Sequence, residues 1–281
     1  MKKLIFLALI AATTFVLVQS CKKSSTNAVS NTGTTFDRKG MLTNLSTNII
    51  IPAYTAFQAN TVTLDAAVTT FNTTPNATNL TALQTAFQAA YKQWQSTSEF
   101  DFGPAQQINF RVNTNTYPAD VNQINSNITA GTYNAGLLAN LAAKGLPGMD
   151  YLLFGIGADN TAILAQYTTD NQAAKRKTYL AALSAELKTN ATTVLTAWTT
   201  GGYKTTFVNN DGTDSGSSTG LLLNQLVYDY EILKKLRSGH PCRRTICRNY
   251  FSAKSTGLLF KNIITANYST FTGYIEYIFR R

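Results

Sequence analysis

Histidine is almost missing from this 281-residue chain: His240 is the only one. A catalytic zinc needs three protein ligands and an open position, and a serine hydrolase needs a histidine base. Most common hydrolytic centres would therefore have to recruit that single side chain. Cysteine is scarce too, at positions 21, 242 and 247, which excludes a disulfide-dense scaffold. Charged residues make up only 14% of the chain, so Asn, Gln, Thr and Ser supply most of the polar surface. The leading apolar run, from Leu4 to Val18, is shorter than the roughly 18–20 residues needed to span a bilayer. No strict apolar/polar alternation persists long enough to propose a sheet.

What the chain does have is helical spacing. Phe57, Leu64, Val68 and Phe71 fall on one face, as do Leu80, Leu83, Phe87, Tyr91 and Trp94, at steps of three and four. Asn76 or Asn79 is placed to cap the second of these helices. Val121, Ile124 and Ile128 mark another. Leu180, Leu183, Leu187, Val194 and Trp198 predict a long helix over about residues 172–200, and Leu222, Leu226, Leu233 and Leu236 one over about residues 218–236. A last helix runs over residues 255–274 through Leu259, Ile263 and Tyr268. The expectation is an all-α protein built as helical bundles with no significant sheet.

The N-terminus reads as a secretory signal: Lys2-Lys3, the short apolar run, then Ser20-Cys21. Val18-Gln19-Ser20-Cys21 resembles a bacterial lipobox, in which the cysteine is lipidated after cleavage. Residues 22–35, rich in Ser, Thr, Asn and Gly, suit a flexible tether. The expected organisation is a signal peptide over 1–20, a lipidated Cys21 with its tether over 21–35, and helical bundles over 36–157 and 158–281. The corresponding location is the cell envelope, as an outer-membrane lipoprotein of a Gram-negative bacterium, with the membrane as a partner through Cys21. Residues 234–281 hold ten Lys or Arg and one acid, Glu276, so nearly all of the +10 net charge lies there. Anionic headgroups or an acidic partner would suit that patch. Nucleic acid is not expected outside the inner membrane.

Residues 145–155 read Gly-Leu-Pro-Gly-Met-Asp-Tyr-Leu-Leu-Phe-Gly. Gly145 stands where a helix would end, after Leu137, Leu138 and Leu141. Pro147 suits the first turn of the next helix. Asp150 then falls near that helix's positive end, and Leu152-Leu153-Phe154 drive it into a core. The carboxylate is expected at the rim of something buried, which fits a binding site and equally a plain helix-start acid.

The same residues resemble the central motif of the imelysin-like family, Gly-x-His-x-x-Glu followed by an aromatic, two leucines and a glycine. Gly145 is the glycine, Tyr151 the aromatic, and the Leu-Leu-Phe-Gly tail is intact. Pro147 occupies the histidine position and Asp150 the glutamate position. The similarity extends from about Phe36, through Ile50-Ile51-Pro52-Ala53-Tyr54, Trp94 to Glu99, Gly103-Pro104 and Tyr117-Pro118-Ala119-Asp120. It continues through Asp214, Ser217-Ser218 and Asn224 to Tyr250-Phe251-Ser252-x-x-Ser255. Arg237 to Asn249 depart most from the family. The resemblance implies two helical bundles, divided near Gly157, with a site between them. The family is classed as a peptidase group that includes iron-regulated envelope proteins, and its metal proposal rests on the motif histidine and glutamate.

Proline can neither ligate a metal nor act as a base, so the reading leans against an enzyme and assigns no catalytic residue. The candidate cleft comprises Asp150, Tyr151, Glu99, Asp101, Asp120, Ser217 and Ser218, whose acids suit a cation or a basic ligand. Ser217 and Ser218 serve as easily as helix caps. No cofactor is expected, although a divalent cation or iron on Asp150 and Glu99 remains open. His240-x-Cys242-x4-Cys247 offers three zinc ligands without an obvious fourth; a Cys242–Cys247 disulfide is the alternative favoured by an oxidising compartment. The leading function is an envelope protein that binds a small ligand or a metal-containing species, linked by resemblance to iron acquisition. The alternatives are an envelope metallopeptidase with an atypical site and a surface scaffold or adhesion module.

Overall fold

In a computed structural model of the chain, residues 36–237 are described, with side chains through Glu231. Three long helices carry the core. Helix α2 (Ile51–Thr73) follows α1 (Arg38–Leu45) through a π-helical turn, Ser46–Ile50, and buries Tyr54, Phe57, Thr61, Leu64, Val68 and Phe71. Those positions advance by three or four, so they form one stripe. Helix α3 (Ala77–Gln95) buries Leu80, Leu83, Phe87, Ala90 and Trp94 by the same spacing, and Asn76 caps it by accepting from the Asn79 N–H at 2.8 Å. Short helices α4 (Pro104–Gln107), α5 (Phe110–Thr114) and α6 (Val121–Ala130) follow. Then come a 3-10 turn, Leu138–Ala143, and α7 (Gly145–Asp150), which runs into a π-helical turn, Tyr151–Gly155. Helix α8 (Asn160–Thr168) precedes the long α9 (Ala173–Thr199); α10 (Tyr203–Asn209) and α11 (Ser218–Arg237) complete the order. No strand occurs among the described residues, as the spacing predicts.

Helix α2 lies between α3 and α9. Its aromatic face explains the fit. Phe57 meets Trp94 at 5.3 Å between ring centroids, Trp94 meets Phe110 edge-on at 5.3 Å, and Tyr54 lies 6.3 Å from Trp198. Each such fully buried aromatic contributes about 1.5–3 kcal/mol of apolar burial. The flanks are joined by polar contacts: Asn72 donates to the Lys177 carbonyl at 2.9 Å, and Ser184 donates to Asp65 at 2.8 Å. Helices from both sides of Gly157 thus share one core, and the described residues from Arg38 belong to a single contact unit.

The residues before the motif depart from expectation. Leu137 and Leu138 are 54% and 87% exposed, at the start of a 3-10 turn rather than in a core helix. Gly145 opens α7 instead of closing a helix, because a continuous helical run from 145 to 155 starts at its positive φ of 65°. Residues 203–209, to which the sequence spacing assigns no element, form α10, held by Phe207 stacking on Phe102 at 5.7 Å.

Candidate functional site

The motif segment is clamped at its start. A Cβ on Gly145 would lie 2.3 Å from the Thr114 carbonyl oxygen and 2.8 Å from that of Asn113. Together with the left-handed φ, this close approach to α5 admits only glycine. The residue before it, Lys144, is buried. Its ammonium stands 2.8 Å from Glu186 on α9 and donates to the Ala135 carbonyl at 2.8 Å. Tyr133 donates to the other oxygen of Glu186 at 2.6 Å, and the Tyr179 hydroxyl donates to the Ala143 carbonyl.

The far end of the segment is held just as specifically. A π turn displaces carbonyls from the regular ladder, and such turns concentrate at functional sites. Here Tyr167 donates to the Leu152 carbonyl at 2.9 Å and Gln84 to the Leu153 carbonyl at 2.9 Å. Leu152 and Leu153 are fully buried, and Phe154 packs 5.8 Å from Phe87. The expectation that these three residues drive the motif into a core therefore holds.

Asp150 sits between the two clamps, half-buried, at the last residue of α7. The sequence places it near a helix N-terminus; the structure places it mid-way along the helical run, so unpaired N–H groups do not converge on it. Burial alone pushes its carboxyl up from 3.8 to about 6. Among the described residues, nothing donates a hydrogen bond to it. The Tyr91 phenol lies within its electrostatic reach. Burial raises the Tyr91 hydroxyl well above its ordinary value, and the charges of Asp150 and Tyr117 add to that rise. Tyr151 packs its ring against Gly155, where a Cβ would meet Cδ2 at 2.8 Å, and accepts from Asn125 Nδ2 at 3.4 Å. Pro147 is buried.

A second cluster gathers Glu99 and Asp101. Arg111, on α5, pairs with Asp229 of α11 through two contacts, 2.6 and 3.1 Å, and its Nε lies 3.5 Å from Asp101. It also donates to the Ser98 carbonyl and lies over the Tyr228 ring at 5.2 Å. Gln225 donates to the Asp101 carbonyl at 2.7 Å, so α11 is fastened to the 98–111 segment twice. Glu99 accepts no hydrogen bond among the described residues. Burial first, then the charge of Asp229, lifts its carboxyl to about 7 against the opposing pull of Arg111. Burial also raises Asp101 and Asp229, again opposed by Arg111. One guanidinium thus faces three acids.

The remaining candidates sit elsewhere. Asp120 is an exposed N-cap of α6, accepting from the Gln123 N–H at 3.0 Å. Ser217 donates to the Asp214 carbonyl at 2.6 Å and accepts from the Gly220 N–H at 3.1 Å; Ser218 donates to the Phe207 carbonyl at 2.6 Å. Both serines are buried and act as caps. Trp94 is core and Tyr117 is half exposed. Arg111 and Asp229 escaped the sequence reading, which placed Tyr91 only on a core face, not at a site. A lone arginine between Phe110 and Val112 was the available signal for the first, and an acid one turn beyond Gln225 for the second. Cys21, His240, Cys242 and Cys247 lie outside the described residues. Among the described residues, no three His, Cys, Asp or Glu side chains converge as metal ligands.

Comparison with known proteins identifies the family of this all-helical chain. Residues 50–274 match the model of the imelysin family, and the chain belongs to that family. The chain is similar to a crystal structure of an imelysin-like protein from Psychrobacter arcticum, with a TM-score of 0.60 and 20% identity, covering 83% of this chain and 72% of that one. It is similar also to a structure assigned as an iron-regulated protein A precursor from Parabacteroides distasonis, with a TM-score of 0.63 and 17% identity, covering 85% and 74%. Over 72 residues it is 33% identical to iron-regulated protein A of Synechococcus elongatus. That stretch is 26% of this chain and only 20% of that protein.

Proposed function

We propose that the protein is a lipid-anchored cell-envelope member of the imelysin family that binds a positively charged ligand at Asp150 and does not cleave peptides. The observation that carries this reading is Asp150 itself. It is a half-buried carboxylate on a clamped segment, given no hydrogen-bond donor among the described residues, with the Tyr91 phenol within its electrostatic reach. An unsatisfied buried acid costs stability, and a cation would repay it. Phenol rings add favourable quadrupole contact with an organic cation.

The position that carries histidine in the family motif is a buried proline, so the ligand set for an activated metal-bound water is incomplete. A hard cation would find one carboxylate and phenolic oxygens at Asp150, fewer charged donors than such ions usually take. A metal-containing species that brings its own ligands, or an organic ammonium, suits the site better. The names of the relatives support a link to iron supply. The Ser20-Cys21 junction and the polar tether support lipid anchoring at the outer membrane.

The test is calorimetric titration of the purified protein with tetramethylammonium, ferrous iron and a ferric chelate. Binding of one of these that disappears in Asp150→Asn supports the reading. Equal heats in both proteins would overturn it.

A further inference from the structure

Between α6 and the motif the chain makes a short loop with Leu137 and Leu138 at its tip. No other large apolar side chain among the described residues is as exposed as Leu138. The tip is nevertheless built, and Asn134 organises it. Its carbonyl accepts from Asn140 Nδ2 at 2.7 Å and from the Leu137 N–H at 3.3 Å, and its side-chain oxygen accepts from the Gly136 N–H at 2.9 Å. The Leu137 carbonyl accepts from the Asn140 N–H at 2.9 Å, and the Ala135 carbonyl from the buried Lys144 ammonium at 2.8 Å. Behind the tip, Tyr133 packs edge-on against Tyr179 of α9, with 5.1 Å between ring centroids. Single exposed hydrophobics are ordinary, but a fixed backbone that holds two adjacent leucines outward marks a contact surface.

We infer that the 134–139 tip dips into the surface of a lipid bilayer. Shape comes first. A side chain as exposed as Leu138 projects from its surroundings, so a protein partner would have to offer a recess, whereas a fluid interface needs none. The backbone agrees. The tip's N–H and C=O groups named above are already paired, so immersion does not strip them of water bonds.

Charge complementarity selects lipid as well. Residues 121–143 contain no Asp, Glu, Lys or Arg. The flank is cationic: exposed Lys175 of α9 donates to the Thr129 carbonyl at 2.6 Å, and a Cβ on Gly131 would lie 3.3 Å from its Cε. A lysine beside an apolar tip suits anionic headgroups. The acid at the root of the loop, Asp120, donates its N–H to the Ala142 carbonyl at 2.7 Å. At about 2 Å per residue of 3-10 turn, that point lies about 8 Å behind Leu138, on the water side.

Position completes the argument, and here it rests on the lipid-anchor reading of Cys21. Helix α1 packs on α10, and α10 on α9. Along α9, from Thr199 back to Tyr179, is about 30 Å. The residues between Cys21 and Asp37 reach up to about 50 Å, so an anchored chain brings the tip to the membrane. Tethering raises the effective concentration of the tip at the surface, so two leucines suffice where an unanchored protein would need more.

Brominated lipids test the tip. The chain's two tryptophans, Trp94 and Trp198, are buried, so a tryptophan placed at the tip is the one that the bromines reach. The full chain carrying Leu138→Trp, purified from membranes, is bound to vesicles of phosphatidylethanolamine and phosphatidylglycerol with brominated acyl chains. Its emission should shift to the blue and fall at least about twofold, while Val62→Trp on α2 stays unquenched. Adding Leu137→Asp should remove the quenching without lowering the Tm, because the position is exposed in the fold. Unquenched Leu138→Trp on vesicles that hold the chain would overturn the inference and leave the anchor standing, as would equal quenching of Leu138→Trp and Val62→Trp. If intact mass finds no lipid on Cys21, the anchor reading fails by itself. The tip is then read from the same quenching at high lipid concentration, where its presence upholds the inference and its absence overturns it. A dimer that Leu138→Asp dissociates, without quenching, would also overturn it and assign the tip to a second copy.

Discussion

The ammonium of Lys144 stands 2.8 Å from the carboxylate of Glu186, and this buried pair immediately precedes the glycine on which the motif helix starts. The pair ties the motif to α9, the longest described helix. The lysine side chain is only 4% exposed, so Glu186 rather than water is its counter-charge. Removing one member of such a pair leaves the other uncompensated, at a cost of about 3–5 kcal/mol. Glu186→Ala should therefore destabilise the protein by roughly that amount in urea unfolding. The double variant Lys144→Met/Glu186→Leu should recover most of the loss. A Glu186→Ala protein as stable as the wild type would show that the pair does not hold the segment.

Gly145→Ala is the sharper structural test. The methyl would enter within 2.3 Å of a backbone oxygen at a φ of +65°, so relief requires α5 and α7 to separate. The left-handed backbone alone costs alanine about 1–2 kcal/mol, and the clash adds to it. Gly202→Ala makes a useful contrast. It shares a positive φ, at 80°, but a Cβ there meets nothing within 4 Å. Thermal melts should show a much larger drop for Gly145→Ala than for Gly202→Ala.

Those two contacts also show where sequence reading succeeds and stops. The core stripes of α2, α3 and α9 were legible because burial imposes a period on the sequence, and Asn76 announced its cap through local chemistry. The glycine and acid of the motif were legible through family resemblance. Their setting was not. Gly145 as a start rather than a stop depends on Thr114, 31 positions earlier, and no local pattern encodes that approach. The ion partners Arg111 and Asp229 lie 118 residues apart, so neither reveals the other. Asp150 looked like a helix-start acid because Pro147 suggests a first turn; the π turn that follows extends the helix beyond it and removes the dipole's help.

The pH dependence of stability follows from that setting. Below pH 3.8, Asp150 is protonated in both folded and unfolded chains and contributes no pH dependence. Between 3.8 and about 6 the unfolded chain releases its proton while the folded protein keeps it, so stability falls as pH rises. Above about 6 the penalty is constant. Glu99 behaves alike between 4.5 and about 7. Asp150→Asn should thus raise the Tm at pH 8, with the gain shrinking through pH 6 and vanishing near pH 4. A gain that grows on acidification would contradict the burial argument. A saturating cationic ligand should cancel the gain at pH 8, because it supplies the missing partner.

Arg111 tests the second cluster. Its guanidinium offsets Asp229, Asp101 and Glu99, so Arg111→Met leaves three acids facing one another. The loss at neutral pH should be about 3 kcal/mol, in the range for breaking a partly buried pair. Unlike Glu186→Ala, this defect should ease below pH 5, where the acids take up protons. Denaturant midpoints at pH 8 and pH 4.5 separate the two cases. An equal loss at both values would mean that packing of the arginine stem, rather than charge, is what α11 needs.

Catalysis is the last expectation, and it turns on counting ligands. The motif's histidine position is Pro147, and His240 lies outside the described residues. Among the described residues, Asp150 has the Tyr91 phenol, and no imidazole or further acid, within its electrostatic reach. Unstructured casein and a panel of fluorogenic peptides should therefore survive incubation with the purified protein, with or without added zinc. Melts with zinc or calcium should superimpose on those with chelator, since a bound ion would raise the Tm by mass action. Replacing Pro147 by histidine restores the family motif in composition only; burial of position 147 should keep the new imidazole from reaching solvent water. Pro147→His should accordingly remain inactive. If Pro147→His cleaved peptides and Pro147→His/Asp150→Asn did not, the segment would be a peptidase centre lacking a single ligand, and the non-catalytic reading of this scaffold would fall.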